Sequence, residues 1–459
     1  MGDSLPALVP CSVTASCHPR WQKALFLLRE SSHACSAERM KSLLHACSSR
    51  PARFAGAALA SFALLGGHAF GQKRLARFSS SEPNNVRFGY AVAVDGSRAA
   101  VTELGPGFAP RVHVYEDDGN GAWSSTARID LPAIGSSANH VVELEGDRLA
   151  VLQFDGSVAY VYDNDGSGWA LTDTLERVPA AASSSFSDLD LEGDRILLGS
   201  PGDDQFAGGA GAAYVYELVG GAWQLDQKLF ASDAAAVQFF GNAVALVGDQ
   251  AFVGASSRTN SVGTIQGGGI YVFEKLGGTW VETALIEESD PTLRFLGRAL
   301  ASDGTRILAS IREAPEERVV EYTWDGLRWE RTEVITPVAA CFLCNYGSPV
   351  RLEGSWLAVG SSSRRGGVHL YRDVQGTWMP YRLLQLSFDW GKGGGSLFDT
   401  GFGRALALQD DTLFVGATTS ADPAIPSSCG NAWLIDLAGR TRATRANRAT
   451  KDQPRSTNR

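Results

Sequence analysis

One phrase in this chain is written twice. FGNAVALVGDQAFVGASS, Phe240 to Ser257, returns 162 residues later as FGRALALQDDTLFVGATTS, Phe402 to Ser420. Self-similarity at a fixed spacing constrains a fold more than any local signal, because one copy cannot bury its apolar face alone and must stack against the next. Aligned on the turn after the first apolar run, seven copies emerge. They start at Phe88, Ala138, Ser185, Phe240, Leu296, Tyr346 and Phe402, spaced 50, 47, 55, 56, 50 and 56 residues apart.

Each copy carries the same signals in the same order. A run with period-two alternation, such as AVAV (91–94) or DLDL (188–191), reads as a strand. A tight turn follows, VDGSR, LEGDR or SDGTR, then a second apolar run and a variable loop. A third run (RVHVYE, VAYVYD, AAYVYE, GIYVFE and their counterparts) leads to a hairpin closed by Trp123, Trp169, Trp223, Trp280, Trp329 or Trp378, and a fourth strand comes after it. Four short strands at a period of 47–56 residues mark a propeller blade, so the expected fold is all-β, a seven-bladed β-propeller of four-stranded antiparallel blades. Nothing between 72 and 439 holds a helical period.

The seventh copy stops after NAWLID (431–436), and its fourth strand has a counterpart at the other end. GQKRLARFSSSEPNNVRFG (71–89) matches DQKLFASDAAAVQFFG (226–241), a fourth strand running into a new blade. The strand 72–78 is therefore expected to complete blade seven beside Asn431–Asp436 and close the ring, since an open ring leaves an unpaired edge.

These units resemble FG-GAP repeats. The resemblance rests on FG at 88–89, 240–241 and 402–403 and on GSPGDDQFAGGAGAAYVYE (199–217), and it runs through all seven copies. It implies the propeller of integrin α-subunits and of many secreted bacterial proteins, with extracellular placement and a role in adhesion or ligand binding. Calcium is possible by the same resemblance, yet family-type DxDxDG loops are absent. The turns read VDGSR, LEGDR, LEGDR, LVGDQ, SDGTR, LEGSW and LQDDT, and none offers three alternating oxygens toward the six to eight that calcium takes. DNDGSG (163–168) falls between the third and fourth strands, where Asn and Asp before Gly make an ordinary hairpin. No cofactor is expected.

Charge is distributed unevenly. Residues 72–439 hold 27 basic and 46 acidic side chains, net −19, which argues against nucleic acid as a partner. From Met40 the chain reads as a signal peptide over 40–71: Lys41, Arg50 and Arg53, an apolar run from Phe54 to Leu65, then small residues. The run is too short for a membrane span. Residues 1–39 are then not part of the mature protein, 440–459 is a basic disordered tail, and the expected product is exported (periplasmic, extracellular or cell surface), monomeric and without a transmembrane span. Cys341 and Cys344 form a possible disulfide, with Cys429 as a third, distant thiol; four further cysteines lie before residue 48. No metal is assigned.

Chemistry is sparse. His113, His140 and His369 fall on strands of three different blades, too scattered for a triad or a zinc site. GDSL (2–5) precedes the signal and GKGGGS (391–396) lacks a strand–helix context, so neither is a catalytic motif. On the innermost strands the positions of Ala91 and Ala93 are small in most copies, but become Glu143, Asp188 and Asp190 in copies two and three and Arg351 in copy six. Three carboxylates near the channel are either solvated or a site for a cation or cationic ligand.

Long irregular segments share one end of the propeller: 102–111, 200–212, 256–269, 418–431 and 386–401. Variable loops on a rigid scaffold are where recognition concentrates, so Asp203, Asp204, Arg364, Arg365, Phe388 and Trp390 are candidate contacts. The expected function is a secreted or surface-attached binding module taking a protein or glycan ligand on that face. The alternative is a carbohydrate-active hydrolase or lyase using the channel carboxylates, which would need two carboxyl groups roughly 5–10 Å apart.

Overall fold

The structure is a computed structural model that describes residues 73–80, 87–105, 110–132, 140–153, 158–178, 185–314, 316–339, 345–361, 366–385, 401–418 and 430–438. The expected leader, signal and tail all lie outside these residues, as do Arg364, Arg365, Phe388, Trp390, Cys341, Cys344 and Cys429. Among the described residues every regular element is a strand, and no helix is long and apolar enough to cross a membrane.

Seven antiparallel sheets form among the described residues; in six of them the strands pair in chain order, and in the seventh the strand Lys73–Phe78 takes the outer place beside Asn431–Asp436. Blade three is representative: Asp188–Glu192, Arg195–Ser200, Ala212–Val219 and Ala222–Leu229. Each blade's first strand packs against the first strands of both neighbours, in an unbroken cycle through blades one to seven. That cycle is the wall of the central channel. Seven apolar clusters fill the spaces between facing blades, as with Tyr160 and Tyr162 against the sheet that carries Val112 and Val114.

Two details depart from the simple repeat. The first strand of blade five is split into Leu293–Arg294 and Leu300–Ser302, both paired to Arg306–Glu313. The segment expected to be loop over 102–111 is strand at both ends, since blade one runs to Leu104 and resumes at Pro110; residues 106–109 lie outside the described residues. Strand Lys73–Phe78 pairs antiparallel with Asn431–Asp436, and Phe78 packs on Tyr115, Trp123 and Phe414, rings of blades one and seven.

The paired glycines of the repeat have a steric cause. Gly241, in the FG of blade four, has φ +91°, and a Cβ there would lie 2.8 Å from the Ser200 nitrogen and collide with the Ala212 carbonyl of blade three. Conversely, a Cβ on Gly199 of blade three would strike the Gly241 carbonyl. Neighbouring backbones touch here, and only glycine on both sides permits it.

A second device explains the EGDR turns and the periodic Trp. In blade two Arg148 holds Asp163 of its own sheet through Nε at 2.9 Å, reaches the Gly193 carbonyl of blade three at 3.1 Å, and lies 5.1 Å from the ring centroid of Trp223. Arg98 over Trp169, Arg195 over Trp280 and Arg306 over Trp378 repeat the arrangement. The acid before the turn glycine works in the same direction: Glu145 accepts the Gly193 N–H and Glu192 the Gly248 N–H. Blades one, two, three and five are thus clasped to the next by charge-assisted hydrogen bonds and a cation–π contact, while blades four, six and seven carry Gln250, Trp356 and Thr412 at the arginine position.

Candidate functional site

The channel gathers the three carboxylates. Glu143, Asp190 and Arg351 occupy equivalent first-strand positions in blades two, three and six, where other blades carry Ala93, Ala245, Ala301 and Ala407. The alanines leave room for Arg351 to span the channel to Glu143 at 3.5 Å. Asp188 stands two residues before Asp190, beside a cavity of about 320 Å³ lined by all seven blades.

Two of these acids serve the backbone. An innermost strand has a free edge whose N–H groups need acceptors. Asp188 accepts the Val244 N–H at 2.9 Å and Asp190 the Leu246 N–H at 2.7 Å, both on blade four. Protein surrounds the carboxyls even though Glu143 keeps 26% of its side chain open to the channel. Burial therefore raises Glu143 to about 7, opposed by Arg351 and reinforced by Asp188. Burial raises Asp188 to about 6, opposed by the Val244 N–H and Arg351. Asp190 goes well above the usual carboxylate range, from burial and then the charge of Glu143. The cluster holds protons near neutrality, and most of its oxygens already have partners. Among the described residues no group of three or more His, Cys, Asp or Glu side chains is arranged to hold a metal ion.

The two histidines with described side chains are structural. His113 Nε2 meets the buried Glu103 carboxylate, and buried His369 accepts the Val338 N–H at its Nδ1. Burial lowers His369 to about 4, so it stays neutral.

On the long-loop face Asp203 is not available as a surface contact. It is 3% exposed, accepts from Tyr214 at 2.8 Å and Lys228 at 2.9 Å, and fixes its loop from within. Burial alone would raise its carboxyl, but these hydrogen bonds hold it below the usual range. Asp204, beside it, is exposed. Arg258 plays the matching role in blade four, buried between Asp233 (2.7 Å) and Glu287. These anchors tie down loops that nonetheless leave Phe206, Val237, Val262 and Ile265 each more than half exposed.

Sequence reasoning passed over the residues around blade five. There the second and third strands, Arg306–Glu313 and Glu316–Trp324, join directly, whereas blade four carries the long connection 256–269. The missing loop leaves a trench of about 430 Å³, lined by Ser256, Ser257, Phe295, Arg298, Arg312 and Glu317 among others. Phe295 has φ +59°, and Phe239, its counterpart one blade earlier, has φ +56°. Blade six puts Asn345 at the equivalent position and blade seven Gly401, also left-handed, which are the residues this backbone favours. Aligning the residue before each FG would have exposed the contrast; its positive φ is visible only in the structure.

The FG-GAP repeat family model matches residues 223–273, from the last strand of blade three through the third of blade four. A crystal structure of a protein from Lactobacillus plantarum is 14% identical, with 64% of this chain and 84% of that one covered and a TM-score of 0.48. Curated protein sequences yield no match. The family match falls on one repeat and the remaining repeats fold as equivalent blades, so this chain is a seven-bladed β-propeller that carries an FG-GAP repeat at 223–273.

Proposed function

We propose that this protein is an exported or surface-attached recognition module that takes a protein or glycan ligand on its long-loop face. The observation that carries the reading is the placement of Phe239, Phe295 and Val237 at left-handed backbone positions. A left-handed conformation costs a non-glycine residue about 1–2 kcal/mol, and a β-branched one is a genuine outlier. Val237 is 55% and Phe239 37% exposed, so both side chains still present apolar surface to solvent at these positions. Apolar side chains held at strained, solvent-facing positions point to a use for the side chain itself. The face is also preorganised by Asp203 and Arg258, which lowers the entropy lost on binding. Export and adhesion follow the habit of FG-GAP proteins.

The hydrolase or lyase alternative has less support. Asp188 and Asp190 already accept backbone N–H groups and Glu143 faces Arg351, so few free carboxylate lone pairs remain for a substrate.

The test is binding of the full chain to a glycan array and a panel of immobilised cell-surface proteins, with Phe239→Asn and Val237→Asn beside the wild type. Each variant should hold its stability or gain up to about 1 kcal/mol while binding falls at least tenfold. Unchanged binding by both variants, or no ligand on either panel, refutes the reading.

A further inference from the structure

We propose that the trench over blade five is a binding site for an acidic saccharide, a ligand class that rests on the recognition role argued above. The trench exists because blade five lacks the loop its neighbour has, and the break between Arg294 and Leu300 in its first strand leaves Phe295 and Arg298 at the wall. Its polar groups are unmet in both senses. Glu317 Oε2 is buried and accepts no hydrogen bond, and its other oxygen is 3.9 Å from Arg298, a weak contact. The guanidinium of Arg312 pairs with no carboxylate among the described residues. Ser256 and Ser257 add hydroxyls that donate or accept.

A ligand that completes this wall has to supply a negative charge to Arg312 and Arg298, a donor to Glu317, and an apolar face to Phe295. An apolar peptide or lipid offers none of the polar groups, and a buried acceptor left empty opposes it. A neutral sugar answers Glu317 but not the arginines. A sugar carrying a carboxylate answers all three: the carboxylate on the guanidinium groups, a ring hydroxyl donating to the Glu317 carboxylate, whose side chain is 19% exposed, and the C–H face of the ring against Phe295. The setting sharpens the choice. Residues 72–439 are strongly acidic, yet in this trench two arginines face one glutamate, so an anion is attracted here and repelled elsewhere.

The test is calorimetric titration of the full chain with hexasaccharides of glucuronate, galacturonate and mannuronate, with cellohexaose and poly-L-glutamate as comparisons. At least one acidic hexasaccharide should bind, more weakly as salt rises, and at least tenfold tighter than cellohexaose or poly-L-glutamate. Arg312→Gln should weaken it ten- to hundredfold, as expected for a lost charged hydrogen bond, and Arg312→Lys should recover part of the loss. Equal binding of cellohexaose or of poly-L-glutamate, or an Arg312→Gln variant that folds and binds like the wild type, overturns the proposal. If the immobilised proteins are bound through Phe239 while every acidic saccharide is ignored, this ligand class falls and the long-loop face stands. If neither is bound, both fall.

Discussion

At the scale of single residues, the channel acids make a prediction about pH. Glu143 and Asp188 have native pKa values of about 7 and 6, above the ordinary carboxylate values of 4.5 and 3.8. The folded state therefore binds more protons than the unfolded state between roughly pH 4 and 7, and stability falls as pH rises through that window. Below it both states are protonated; above it both are ionised and the whole burial cost is present. Glu143→Gln keeps a polar group facing Arg351 and cannot ionise. It should be less stable than the wild type by no more than about 1 kcal/mol at pH 4 and more stable by on the order of 2 kcal/mol at pH 8. Chemical denaturation of both proteins across pH 4–8 measures this, and parallel stability curves would count against it. His369 works the opposite way: with its value lowered from 6.5 to about 4, the unfolded state binds the extra proton, so stability falls as pH drops from about 6.5 to 4.

At the scale of the element, the contact between blades decides what the sequence can vary. A Cβ on Gly241 meets the backbone of blade three, which has nowhere to go, and φ +91° adds strain of its own. Gly241→Ala should cost about 3 kcal/mol or more, while Gly248→Ala, at a turn with open space around it and φ +56°, should cost about 1–2. Thermal unfolding of the pair separates them; equal losses would mean that the close approach is unimportant. This contrast also marks what was legible beforehand. FG, the turn glycines and the hairpin Trp recur at a fixed spacing, so the strands and the seven sheets could be read from the repeat. The convergence of Glu143, Asp190 and Arg351 was readable too, because equivalent positions of a radial repeat share one level of the channel. Asp203 was misread because its partner Lys228 is 25 residues away on another strand, and a GDD loop looks solvated until that contact is known. The trench was missed for a different reason. It is made by a loop that is absent from SIREAPEERVV, and a search for groups does not register a gap.

At the scale of the whole molecule the question is what holds a ring of seven blades shut. Two seams join blade seven to blade one. The first is the inner wall, where Arg87–Asp95 packs on Ala405–Gln409, Gln409 accepts the Gly96 N–H, and a Cβ on Gly416 would strike the Gly89 carbonyl. The second is the outer ladder of Lys73–Phe78 on Asn431–Asp436, with Arg77 donating to Asn431 at 3.0 Å and buried Ser80 donating to Glu103 of blade one at 3.3 Å. We propose that the outer ladder is what makes the closure stable. Without it Asn431–Asp436 is a bare strand edge, and Phe414, Tyr115 and Trp123 lose the ring that bridges them. Burial of the Phe78 side chain alone corresponds to about 1.5–3 kcal/mol. A chain beginning at residue 81 should therefore be at least that much less stable than one beginning at 72, and it should associate through the exposed edge as its concentration rises. Removal of 441–459, a polar basic stretch, should leave the unfolding midpoint within the error of the measurement. Urea denaturation and light scattering on the three chains give both readouts. If the chain beginning at 81 unfolds at the same midpoint as the one beginning at 72 and stays monomeric, the inner wall is sufficient, and the first strand is an ornament of the ring rather than its clasp.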